Sequence, residues 1–117
     1  MVTILVIDDE PGLRLLGCAI LGRAGHQVFT AGSGSEGLLR FQECKPDIVV
    51  TDLCMPDMDG IEMIQELTRL SPLPRIVAMS GGGRDRTDVL EQAKDAGASA
   101  VLQKPFRRAV LLTALNA

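Results

Sequence analysis

The chain has 117 residues, 46% of them hydrophobic, which is the size of one domain with enough apolar side chains for a single core. A net charge of −3, no Trp or Tyr and only three Phe leave neither a basic footprint nor base-stacking platforms, so direct nucleic-acid binding is not expected. The three cysteines, Cys18, Cys44 and Cys54, are odd in number and lack metal-ligand spacing, which argues against disulfides or a zinc site and for a reducing cytoplasm.

The opening run Met1 to Ile7 is apolar but has no basic residues ahead of it and stops at Asp8-Asp9-Glu10. It therefore predicts a buried strand over Thr3 to Ile7, with no signal peptide and no membrane span. A first helix should begin after Asp9, with Pro11 in its first turn, and stop at Gly25. The second strand, Gln27 to Ala31, leads through Gly32-Ser33-Gly34 into a helix over Ser35 to Cys44, and the third, Asp47 to Thr51, delivers Asp52. A helix over Gly60 to Leu70 follows. The fourth strand, Arg75 to Met79, ends at Ser80 and the run Gly81-Gly82-Gly83, before a helix over Arg86 to Ala96. The fifth, Ser99 to Leu102, is followed by Lys104 and a helix over Phe106 to Leu115. Pro46, Pro72, Pro74 and Gly97 fall in the gaps, where restricted or left-handed backbone is useful.

Short β-branched runs alternating with helical segments predict an α/β fold: a doubly wound, five-stranded parallel sheet in the order 2-1-3-4-5, flavodoxin-like. Strands one, three and four are the most continuously apolar and should be central. In such folds ligands bind beyond the carboxyl ends of the strands, at the switch point. Asp8, Asp9, Asp52, Ser80 and Lys104 all stand at such ends. In this order strands one and three adjoin, so three mutually repelling carboxylates share one crevice. A hard divalent cation relieves that repulsion: Mg²⁺, or Mn²⁺ in its place, takes a few carboxylate oxygens and leaves positions for water and phosphate oxygens.

Asp8-Asp9, Asp52 behind Ile48-Val49-Val50-Thr51, Met55-Pro56 with Gly60, Ser80 behind Ile76-Val77-Ala78-Met79, and Lys104-Pro105-Phe106 together resemble the receiver domain of response regulators, the chemotaxis-regulator type included. Each motif alone is weak; five in order, across residues 1–117, are specific. The resemblance implies that Asp52 is the phospho-acceptor, taking a phosphoryl group from a sensor histidine kinase or a phosphotransfer protein. It implies Asp8, Asp9, Asp52 and the backbone carbonyl of Cys54 as metal ligands, Lys104 and Ser80 as partners of the phosphoryl oxygens, and Pro105 as the residue that aims Lys104. It also implies a conformational signal to an output domain or downstream protein on the face of helix four, strand five and helix five, or to a second copy of the chain. Such a domain is a signalling element rather than an enzyme with a separate substrate, although it catalyses its own phosphorylation and autodephosphorylation. Two positions depart from the family: Val101 stands where an aromatic is usual, and Gly81 where alanine is usual, so ordering of the glycine-rich loop should carry the coupling. Helix five ends near Ala117, and both a stand-alone regulator and a receiver from a longer protein stay open.

Other readings exist for each feature. Asp8, Asp9 and Glu10 suit a helix start, Asp52 and Ser80 suit turns, Lys104 suits a solvated surface, and Asp57 and Asp59 read as solvated loop acids. A receiver-fold interaction module without phosphorylation is the main alternative. Gly32, Gly34 and Gly37 match the G-x-G-x-x-G dinucleotide pattern but follow the second strand, where a plain helix start is the preferred reading.

Overall fold

Successive side chains on a strand point to opposite faces, so a strand apolar at every position must be covered on both sides. In the computed structural model, which describes residues 2–55, 57–70, 73–80, 86–104 and 106–115, β1 (Thr3–Ile7) does this: Leu5 and Ile7 enter one apolar layer, Ile4 and Val6 the other. The remaining elements are α1 (Pro11–Arg23), β2 (Gln27–Ala31), α2 (Gly34–Cys44), β3 (Ile48–Asp52), β4 (Cys54–Met55), β5 (Met58–Asp59), α3 (Gly60–Thr68), β6 (Arg75–Ser80), α4 (Arg86–Ala96), β7 (Ala100–Gln103) and α5 (Arg108–Ala114).

The main sheet is parallel in the order β2-β1-β3-β6-β7, and β4 pairs with β5 in a separate antiparallel hairpin. With the hairpin set aside, this is the expected 2-1-3-4-5 order with strands one, three and four inside. Phe41 of α2, Met63, Ile64 and Leu67 of α3 and Ala93 of α4 cover one face. Ile20 and Leu21 of α1 and Leu111 and Ala114 of α5 cover the other. Burial of the inner strands is close to complete: every residue of β3 is buried.

Boundaries move by one to three residues. α1 closes at Arg23, and Gly25 at φ 94° turns the chain into β2. α2 ends on Lys45, a non-glycine residue at φ 44°, a conformation that costs an L-residue about 1–2 kcal/mol. α3 closes at Thr68 with Arg69 as its cap. α5 begins later than expected because Arg107, at φ −87° and ψ 155°, is extended. Among the described residues no helix is long and apolar enough to cross a membrane. Pro56, Pro72, Gly81-Gly82-Gly83 and Pro105 lie outside the described residues.

Candidate functional site

Parallel register decides which strand ends meet. Ile7 of β1 pairs with Thr51 of β3, so the next residues, Asp8 and Asp52, emerge side by side. Asp52 pairs with Met79, which sets Ser80 beside the same crevice, and Ser80 in turn pairs with Gln103, immediately before Lys104. The Lys104 amide donates to the Ser80 carbonyl at 2.7 Å, extending the β6–β7 ladder to the lysine. Asp8, Asp52 and Ser80 are buried, whereas Asp9 is exposed.

One carboxylate oxygen from each of Asp8, Asp9 and Asp52 lies within 4.8 Å of the others. Lys104 Nζ bridges two of them, 2.8 Å from Asp8 Oδ2 and 3.2 Å from Asp52 Oδ2. Burial pulls the Lys104 ammonium down, but the hydrogen bond to Asp8 and the charges of Asp52 and Asp8 outweigh it, and its pKa ends above the ordinary lysine value. The lysine is therefore a fixed cation at neutral pH.

The acidic run also does local work. Asp8 Oδ1 accepts from the Glu10 amide at 3.0 Å, and the Asp8 carbonyl accepts from Arg14 Nη1 at 2.7 Å. Glu10, the N-cap of α1, makes no side-chain cap bond. Asp8 thus divides its carboxylate between the turn and Lys104. A cluster of three carboxylates offers only hard oxygen donors, and Mg²⁺ or Mn²⁺ suits such a set better than a metal that prefers thiolate or imidazole. The backbone of Cys54 lies in β4, two residues beyond Asp52, opposite Asp59.

Elsewhere the structure departs from the sequence reading. Asp57 and Asp59 are not free loop acids: Asp59 Oδ1 accepts from the Ile61 amide and caps α3, and Asp57 accepts from Gly34 and Ser35 at the start of α2. Nothing in the local sequence announces the second contact, which spans more than twenty residues. The same bonds weaken the dinucleotide reading of Gly32, Gly34 and Gly37. The amides of Gly32, Gly34, Ser35 and Glu36 go to Glu36, Asp57 and Ser33 side chains, none of them left to cradle a pyrophosphate. A Cβ on Gly37 would sit 2.5 Å from Ile7 Cδ1, so this glycine serves helix-to-sheet packing. Val101 is half-buried and lines a mainly apolar groove of about 370 Å³ with Ala100, Leu102, Ala109, Val110 and Thr113.

Residues 4–116 match the sequence model of the response regulator receiver domain family. Over 114 residues the chain is 36% identical to the chemotaxis protein CheY of Thermotoga maritima, covering 97% of this chain and 93% of that protein. It is also 36% identical over 106 residues to the KDP operon transcriptional regulatory protein KdpE of Escherichia coli, covering 91% of this chain and 46% of that longer protein. Among solved structures, a response regulator receiver domain protein from Clostridium thermocellum aligns with a TM-score of 0.90 at 33% identity, over 99% of this chain and 92% of that one.

Proposed function

Because the chain belongs to the response regulator receiver domain family, we propose that residues 1–117 form one receiver domain in which Asp52 is the phospho-acceptor. The observation that carries this reading is the Lys104 ammonium, held between the buried Asp8 and Asp52 carboxylates at the switch point of the sheet. An ammonium fixed beside a nucleophilic carboxylate is placed to meet the oxygens of an incoming phosphoryl group.

In the proposed reaction an Asp52 carboxylate oxygen attacks the phosphorus of a phosphohistidine on a sensor histidine kinase or phosphotransfer protein. The P–N bond breaks, its electron pair returns to the imidazole, and an acyl phosphate forms on Asp52. Lys104 follows the negative charge from the carboxylates to the phosphoryl oxygens, and the Ser80 hydroxyl donates to one of them. Asp8, Asp9, Asp52 and the Cys54 carbonyl would hold Mg²⁺ or Mn²⁺. When bound, the cation supplies positive charge that offsets the nucleophile and the transferring group. The exposure of Asp9 supports a crevice open enough to admit a phosphodonor. Water attack on the acyl phosphate would return Asp52 to its free state.

A phosphoryl group brings about two negative charges to a site where Lys104 and Ser80 can respond. Its contacts must favour one conformation for a signal to leave the site. The outlet we favour is the face of α4, β7 and α5, where Val101 and its apolar groove stand in place of an aromatic ring. An output domain, a downstream protein or a second copy of the chain would be read there, with the loop from Gly81 carrying the change and Pro105 aiming Lys104. The transcriptional regulator KdpE, of which this chain matches less than half, supports an output domain as one such arrangement. No direct contact with nucleic acid or membrane is proposed for the domain, and its setting is the cytoplasm.

Incubation with Mg²⁺ and a small acyl phosphate donor, followed by intact mass measurement, tests the proposal. A phosphoryl adduct is expected on the wild type and not on Asp52→Ala. An unmodified wild type, or an adduct indifferent to Asp52, would leave a receiver-fold interaction module as the better reading.

A further inference from the structure

We propose that Asp57 is a positioning residue that holds the β4–β5 hairpin, and with it the Cys54 carbonyl, against the amino end of α2. The proposal rests on the metal-dependent reading above, in which that carbonyl is a ligand.

The hairpin has little of its own to hold it. Its strands pair only Cys54 with Asp59 and Met55 with Met58, and an isolated two-stranded ribbon is marginal even when much longer. Its position must come from what it touches. At the base, the Gly60 amide donates to the Leu53 carbonyl at 3.1 Å, and Asp59 caps α3. At the tip, Asp57 reaches a different element: the Gly34 amide donates to Oδ1 at 3.0 Å, and the Ser35 amide and hydroxyl donate to Oδ2 at 3.0 and 2.9 Å.

Two features separate this contact from ordinary helix capping. α2 already has a local cap, because Ser33 Oγ accepts from the Glu36 amide at 3.1 Å, so the helix does not depend on a carboxylate brought from another loop. The approach is also close. A Cβ on Gly34 would lie 2.9 Å from Met58 Cβ, and only glycine lets the hairpin sit this near the helix. The first amides of a helix lack intrahelical acceptors and carry partial positive charge, which favours an anion from any direction. The Ser35 and Gly34 amides accordingly hold the Asp57 carboxyl below its ordinary pKa.

Cys54 lies three residues before this anchor. Releasing Asp57 would free the tip and let the carbonyl wander, while Asp8, Asp9 and Asp52 stay on the strand ends of the main sheet. The expected defect is in metal affinity, with the phosphoryl-transfer rate recovered once metal is saturating.

The test compares wild type, Asp57→Ala and Asp57→Asn by calorimetric Mg²⁺ titration well below the unfolding temperature and by amide exchange without metal. Asp57→Ala should bind Mg²⁺ about tenfold more weakly, the lower end of what outer-shell partners contribute. It should also exchange the Gly34 and Ser35 amides faster and reach the wild-type phosphorylation rate at saturating Mg²⁺. Asp57→Asn keeps one oxygen acceptor and should recover part of the affinity. Wild-type Mg²⁺ affinity in Asp57→Ala would overturn the positioning role alone. A wild type that binds no Mg²⁺ would overturn the metal-dependent reading and this role with it.

Discussion

Replacing Lys104 with methionine removes one charge and little volume, which isolates what the ammonium does between two carboxylates. In the native site its Nζ lies 2.8 Å from Asp8 and 3.2 Å from Asp52, and the side chains of Lys104, Asp8 and Asp52 are only 12%, 1% and 6% exposed. Without it, carboxylates within 4.8 Å face each other, and two unit charges at that separation repel by about 3.5 kcal/mol at an effective dielectric of about 20. Breaking a buried pair by deleting one partner costs about 3–5 kcal/mol in general. The crevice opens to solvent at Asp9, so the lower value, about 3 kcal/mol, is expected at neutral pH without metal. Urea unfolding followed by far-ultraviolet circular dichroism is the suitable assay, since the chain has no Trp or Tyr. With a slope near 1.5 kcal/mol per molar, the midpoint should fall by about 2 M. Added Mg²⁺ should restore much of the loss by standing in for the missing cation. A Lys104→Met midpoint within about 0.3 M of wild type would refute the electrostatic account of the site.

Three further outcomes follow from the same geometry. The raised Lys104 pKa means that its stabilisation is fully present below about pH 10.5 and disappears as pH rises through the folded value. The alkaline limb of the wild-type stability profile should therefore flatten in Lys104→Met. The lowered Asp57 pKa has the opposite sign: its contribution is present above about pH 3.8 and is lost as pH falls through the folded value, so Asp57→Asn should be less acid-sensitive than wild type in a pH series of melting temperatures. Gly60→Ala would set a Cβ 2.3 Å from Leu53 Cα and 2.4 Å from its carbonyl oxygen, both backbone atoms beside Asp52. It should cost about 3 kcal/mol in urea unfolding; a loss below about 0.5 kcal/mol would show that the loop adjusts freely.

Sequence was most informative where one physical cause dominated. Strands buried on both faces must be apolar throughout, so Ile48, Val49 and Val50 announced β3 without any tertiary information. The switch-point rule then gathered Asp8, Asp9, Asp52, Ser80 and Lys104 from positions far apart in the chain. What escaped depended on contacts with no local signature. β4 and β5, two residues each, are too short for alternation to register. Asp57 looks like any loop acid until α2 is folded beneath it, since its partners lie 22 and 23 residues away. Lys45 takes a left-handed conformation that glycine or asparagine would have advertised. The late start of α5 reflects the extended Arg107, although the residues around it would tolerate a helix.

The central claim is that phosphoryl transfer ends on one carboxylate. Borohydride reduces an acyl phosphate of aspartate to homoserine, so treating the protein after reaction with Mg²⁺ and a phosphodonor, then sequencing its peptides, marks the acceptor directly. The account predicts homoserine at position 52, with Asp8, Asp9, Asp57 and Asp59 unchanged. Homoserine at Asp8 or Asp9, or at no aspartate after a measurable phosphoryl adduct, would contradict it.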